Sequence, residues 1–143
     1  TSLRIREVVN IFGVKEASGD LVQALEIIKN TPKEFLVISG DDLLAVPTIS
    51  IGAVGAISVL SNTYPEKFSE MIKAAIQSRF QHATETLITF TEINPLMYEE
   101  GNPVGVKALL QHLGICLNEV RLPLVKASEG LQERIIEAHK KIA

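Results

Sequence analysis

At 143 residues, with 46% of them hydrophobic, the chain can bury a core of one-domain size and is too apolar to be disordered. Its 14 lysines and arginines are interspersed with 17 acids for a formal charge of -3, which excludes the basic face that a nucleic-acid backbone requires. A single cysteine, Cys116, excludes an internal disulfide framework and fits a reducing compartment, with the cytoplasm as the expected location.

In chain order, residues 1–9 run Leu3, Ile5, Val8 and Val9 into an apolar stretch and read as the tail of a helix that starts upstream. The chain opens on Thr1, without an initiator methionine or a signal-peptide pattern. Three short apolar runs follow, at residues 11–14, 35–38 and 56–60, each succeeded by polar turn residues and a helical pattern. That is the rhythm of parallel β/α units, and runs apolar on successive residues predict strands covered on both faces.

After the first run, Ser18-Gly19-Asp20 offers capping oxygens, and Leu21, Ala24, Leu25 and Ile28 share one helical face until Asn30-Thr31-Pro32. After the second, Asp41 or Asp42 can cap a shorter helix through Leu44 that Pro47 kinks or confines to its first turn. After the third, Pro65 stands near the start of a helix with the stripe Phe68, Met71, Ile72, Ala75 and Ile76, ending at residues 77–79. Residues 43–60 carry no charge, but Pro47, Thr48, Ser50, Gly52 and Gly55 interrupt them, so a buried helix, a turn and a buried strand are predicted rather than a membrane span.

From Phe80 the strand signal ends, and helical patterns occupy residues 81–91, 104–113 and 128–142, separated by Asn94-Pro95, Asn102-Pro103 and Leu122-Pro123. The predicted organisation is α/β: β/α units over 1–79 and a helical extension over 80–143. Three neighbouring parallel strands leave two open sheet edges, so the chain reads as part of something larger.

Lys15 ends an apolar strand, where β/α proteins place catalytic groups. One reading is an amine desolvated by Ile11, Phe12 and Val14 and by neighbours from other strands, which attacks a carbonyl; the other is a lysine that reaches solvent or pairs with Glu16 or Asp20. Asp41 and Asp42 could hold a metal, but paired aspartates capping the next helix are the commoner arrangement. Gly55-Ala56-Ile57-Ser58 suits a tightly packed strand and lets a ligand approach the backbone. Cys116, in the apolar run 113–117, is expected to be a packed, inert thiol. His82, His112 and His139 belong to no short-spaced ligand motif, so neither a metal nor a cofactor is expected.

Gly13-Val14-Lys15-Glu16-Ala17-Ser18-Gly19-Asp20 resembles the lysine strand of the dihydrodipicolinate synthases, and Ser39-Gly40-Asp41-Asp42 is similar to the segment that follows it there. Gly55-Ala56-Ile57-Ser58-Val59 resembles the family's last barrel strand, residues 102–107 its proline-containing helix start, and Arg121-Leu122-Pro123-Leu124 its final linker. Gly105 stands where many members have proline, and Leu60-Ser61-Asn62 replaces a commoner threonine-alanine-asparagine.

The resemblance implies the C-terminal portion of a TIM (β/α)8 barrel, about three parallel strands with helices, plus a C-terminal helical extension. It also implies a pyruvate-dependent class I aldolase in which Lys15 forms a Schiff base with pyruvate while the Ile57 backbone and the Gly40 region line the substrate pocket. The enamine would add to L-aspartate semialdehyde and feed lysine and diaminopimelate synthesis. The family's tyrosine proton relay, substrate-carboxylate arginine, threonine-rich loop and lysine feedback site belong to strands that would lie in a missing N-terminal half of the barrel. The expected assembly is a homo-oligomer, a tetramer in the family. Two rival readings are another pyruvate lyase of the same superfamily and a non-catalytic half-barrel that pairs through its open edge.

Overall fold

A computed structural model describes Val8 and residues 10–142, so the helix tail expected over 1–9 lies, Val8 apart, outside the described residues. Two compact units divide the chain, Thr1–Ser58 with Ser69–Thr84, and Val59–Phe68 with Glu85–Ala143.

The first unit is built on a parallel sheet in the order β1 (Gly13–Glu16), β2 (Leu36–Ser39), β3 (Gly55–Ala56). β1 begins two residues later than the apolar run and takes in Lys15 and Glu16, because pairing partners rather than apolarity set its extent. The ladder with β2 runs from Gly13–Leu36 to Glu16–Ser39, and the Gly40 amide extends it by donating to the Glu16 carbonyl at 2.6 Å. β3 is shorter than the predicted 56–60. Ile57 N still donates to Ser39 O at 2.8 Å, but β2 then turns away at Gly40 and Asp41, and the residues after Ile57 leave the sheet.

Helix α1 (Leu21–Lys29) starts where Asp20 Oδ1 accepts the amides of Val22 (2.8 Å) and Gln23 (3.1 Å), and stops at Asn30 as expected. Its buried positions are Ala24 and Ile27, whereas Leu25 of the predicted stripe is half exposed. The helix turns the side bearing Ala24 and Ile27 inward and packs on β2 and α2 (Ala45–Ser50). Asp41 Oδ1 accepts from Leu43 N (2.9 Å) and Leu44 N (3.0 Å), closing the turn that leads into α2, and Pro47 lies in that helix's first turn, where a missing amide costs no hydrogen bond.

Helix α3 (Pro65–Ile76) gives the first unit the buried Met71, Ala74 and Ala75, while Ile76 at the end of its predicted stripe is exposed. Ser78, at φ 61°, breaks it before α4 (Phe80–Thr89). Among the described residues no helix is long and apolar enough to cross a membrane.

In the second unit, α5 (Ile93–Leu96), α6 (Val104–His112) and α7 (Glu129–Lys140) pack around the fully buried Phe90, Ile93, Met97, Leu109, Leu131 and Ile135. Asn94-Pro95 does not separate helices; it forms α5, with Pro95 in its first turn. Gly105 is explained by a close approach: a Cβ there would fall 2.4 Å from the Leu96 carbonyl oxygen and 2.6 Å from Met97 Cα. Tyr64 and Phe68, from the start of α3, set their rings against Phe90, and Tyr64 Oη lies 2.9 Å from His139 Nδ1. Ser128 caps α7 by accepting from Leu131 N (3.2 Å), while its own amide and hydroxyl donate to the Glu100 carboxylate at 2.8 and 2.5 Å.

The expectation of a packed Cys116 is overturned, since the thiol is exposed and so are Ile115 and Leu117 beside it. α6 has ended by then, Gly114 turns the chain at φ 72°, and the irregular segment that follows presents the apolar run to solvent.

Candidate active site

Parallel pairing aligns Lys15 with Ile38 and Ile38 with Gly55, so these three residues share one face of the sheet. Two residues on, the ladder bonds of Gly40 and Ile57 carry both to that same face. All three sequence-predicted site residues, Lys15, Gly40 and Ile57, therefore converge on one face near the carboxyl ends of the strands. The opposite face is closed, with Val37 at 2% and Ser39 at 1% exposure, while Lys15 is exposed and Ile57 is 51% exposed.

Gly40 has a steric role toward the lysine. A Cβ built on it would meet Lys15 Cε at 2.7 Å, Lys15 Cγ at 2.9 Å and Ala17 Cβ at 2.6 Å. The hydrocarbon stem of Lys15 thus lies across the bare Cα of Gly40, and only glycine leaves that lane open. Gly55, one strand further, has open space where its Cβ would be. A concavity of about 250 Å³ along β1 includes Gly13, Lys15, Leu36 and Ile38 of this face in its lining.

Burial of Lys15 by Ile11, Phe12 and Val14 is not found among the described residues, where the lysine is exposed. Phe12 is 75% exposed and Ile11 is exposed, because β1 is an edge strand among the described residues and no element of the unit covers it there. Pairing of Lys15 with Glu16 or Asp20 is not found either. Glu16 points to the other face, where its Oε1 accepts from Ser18 N at 2.9 Å and Gln23 Nε2 at 3.0 Å, and Asp20 is engaged in capping α1. The Glu16 contacts are the part of the site that sequence reasoning missed; a glutamate directly after the lysine, seven residues before a glutamine in the next helix's first turn, was the available signal. At the same end of the sheet Asp41 closes the turn before α2, whose N-cap position is Leu44, so neither aspartate caps that helix, and Asp42 is buried. His112 and His139, distant in sequence, come together at 6.0 Å between ring centroids, although the described residues contain no group of three metal-ligating side chains.

A parallel β/α sheet with helices against one face, and a lysine, a glycine and an isoleucine brought together on the other at the strands' carboxyl ends, is part of a (β/α)8 barrel. The model of the dihydrodipicolinate synthetase family matches residues 1–142, and the chain belongs to that family. It is 80% identical over 142 residues to a 4-hydroxy-tetrahydrodipicolinate synthase of Cytophaga hutchinsonii, covering 99% of this chain and 48% of the relative. Among solved structures it matches the dihydrodipicolinate synthase of Thermotoga maritima (31% identity, TM-score 0.94, 99% of this chain and 49% of that one). It also matches the chloride-inhibited enzyme of Acinetobacter baumannii complexed with pyruvate (32% identity, TM-score 0.93, 99% and 48%). The chain spans about half the length of the relatives it matches.

Proposed function

We propose that this chain supplies the Schiff-base lysine of a 4-hydroxy-tetrahydrodipicolinate synthase, a lyase of lysine and diaminopimelate biosynthesis acting in the cytoplasm. The observation that carries the reading is the convergence of Lys15, Gly40 and Ile57 on one open sheet face, with the lysine stem laid across Gly40. The Lys15 amine attacks the C2 carbonyl of pyruvate and water leaves, giving an imine that acts as an electron sink. Loss of a methyl proton yields an enamine, whose carbon forms the new bond to the aldehyde of L-aspartate semialdehyde. The amino group of that substrate then attacks C2, and the bond to Lys15 breaks.

In this reading residues 1–79 carry the barrel units and 80–143 the helical extension. The proton relay and the anchor for the substrate carboxylate come from the other half of a barrel of the relatives' length, in a homo-oligomer. The name of the Cytophaga relative, at 80% identity, favours this reaction over a sister pyruvate lyase, and the pyruvate held by the Acinetobacter enzyme favours it over a non-catalytic half-barrel.

The test is borohydride reduction with pyruvate in a polypeptide of the relatives' full length carrying this segment. A stable adduct on Lys15, lost in Lys15→Ala, is the expected result. An adduct mapped to Lys107 or Lys126 with Lys15 unmodified would overturn it.

A further inference from the structure

We propose that Glu16 is a positioning residue for Lys15, an inference that rests on the imine reading of that lysine. Adjacent residues of a strand point to opposite faces, so Glu16 cannot touch a substrate held by Lys15. What it holds is the turn behind the lysine. One carboxylate oxygen, Oε1, accepts both the Ser18 amide at 2.9 Å and the Gln23 side-chain amide at 3.0 Å. Ser18 Oγ in turn accepts the Asp20 amide at 3.1 Å, and Asp20 caps α1, whose first turn contains Gln23. The segment from Glu16 to α1 is thereby closed on itself, with two of its bonds ending on the Glu16 carboxylate and the others on Ser18 and Asp20.

The site depends on that closure through Ala17. Its Cβ stands on the lysine's face, 2.6 Å from where a Gly40 Cβ would be and beside the lane in which the Lys15 stem runs. On the backbone, the Glu16 carbonyl receives the Gly40 amide at 2.6 Å, so the same residue ties β1 to Gly40. Glu16 therefore fixes both the turn that sets Ala17 and the strand end that sets Gly40. A lysine guided between these two delivers its amine along a defined line. Once the carboxylate is removed, the Ser18 amide and the Gln23 amide lose their acceptor, the turn is free to shift, and the amine keeps its chemistry but loses its aim. Misplacement of a reacting group by about 1 Å can lower a rate by roughly a hundredfold.

The experiment measures the rate of borohydride trapping of pyruvate on Lys15, by peptide mapping, in wild type, Glu16→Ala, Glu16→Gln and Gln23→Ala of a full-length polypeptide carrying this segment. Glu16→Ala is expected to slow trapping about 10- to 100-fold at saturating pyruvate, with the loss in the maximal rate rather than in the half-saturating concentration. Glu16→Gln keeps an acceptor oxygen and restores most of that loss, and Gln23→Ala, which removes only one of the two bonds, slows trapping less and in the same direction. Circular dichroism at the assay temperature checks each fold; if Glu16→Ala does not fold, Gln23→Ala decides. Trapping at the wild-type rate in the deciding variant would overturn the positioning role while leaving the imine reading intact. Absence of a Lys15 adduct in wild type would overturn both.

Discussion

Gly40 concentrates the requirement of the site in one missing atom. Its bare Cα admits the Lys15 stem and the Ala17 methyl, and a Cβ would stand under 3 Å from both. Gly40→Ala is therefore expected to push the lysine out of its lane. Overpacking of this kind costs about 1–3 kcal/mol where neighbours cannot yield, but here one of them is a lysine stem that is free to swing into the open face. The predicted outcome is a large fall in the rate of pyruvate trapping with a modest drop in the unfolding midpoint. Trapping on Lys15 at an undiminished rate in the alanine variant would show that the lane does not matter.

Among the elements, the start of α7 is held by a local device. Ser128 accepts the Leu131 amide and gives two hydrogen bonds to Glu100, whose carboxyl its hydroxyl and amide together hold below the usual carboxylate range. Ser128→Ala removes the cap and is expected to cost about 0.5–2 kcal/mol, read as a lowered midpoint in urea. The end of the same helix carries a pH response. Burial, and then the neighbouring His112, hold the His139 imidazole below its ordinary value of 6.5. The unfolded chain binds that proton more readily than the folded one, so this contribution to stability is complete above pH 6.5 and declines as the pH falls through the lower folded value. Tyr64, bonded to His139, has its phenol pushed up by burial from 10.0 to about 12, so its contribution is present below pH 10.0 and lost as the pH rises toward 12. Denaturant melts between pH 5 and 8 should show a shallower acid decline in His139→Gln than in wild type; equal slopes would mean that the stability lost in acid comes from other groups.

For the molecule as a whole, the open face is the governing feature. Among the described residues β1 pairs only with β2, and β3 only with β2, so each presents an edge, and Phe12, Val54 and Ile57 present apolar surface to solvent. Edges and apolar faces of this kind seek a partner. A polypeptide limited to these 143 residues is therefore expected to self-associate and to show no turnover of pyruvate with L-aspartate semialdehyde. Supplying the complementary half of a relative-length barrel should restore part of the activity, because the proposed relay and carboxylate anchor would come from it. Sedimentation with a coupled assay checks both statements, and turnover by a monomer of the 143-residue chain alone would refute the proposed division of the site.

By itself the sequence determined what neighbours along the chain can settle: the β/α rhythm, the cap at Asp20, the proline near the start of α3, and the lysine at the end of an apolar run. Each of these rests on contacts within a few residues, where stereochemistry leaves few alternatives. Tertiary structure decided the rest. It chose Ala24 and Ile27 over Leu25 as the buried side of α1, because β2 and α2 lie on that side. It shortened β3 where β2 turns away, and left Cys116 exposed where no layer covers its apolar run. It also set the register that brings Lys15, Gly40 and Ile57 to one face, since a shift of one residue in either pairing would have sent a member of the set to the covered side. Apolarity says that a residue will seek cover; only the position of the other strands and helices says which residues find it.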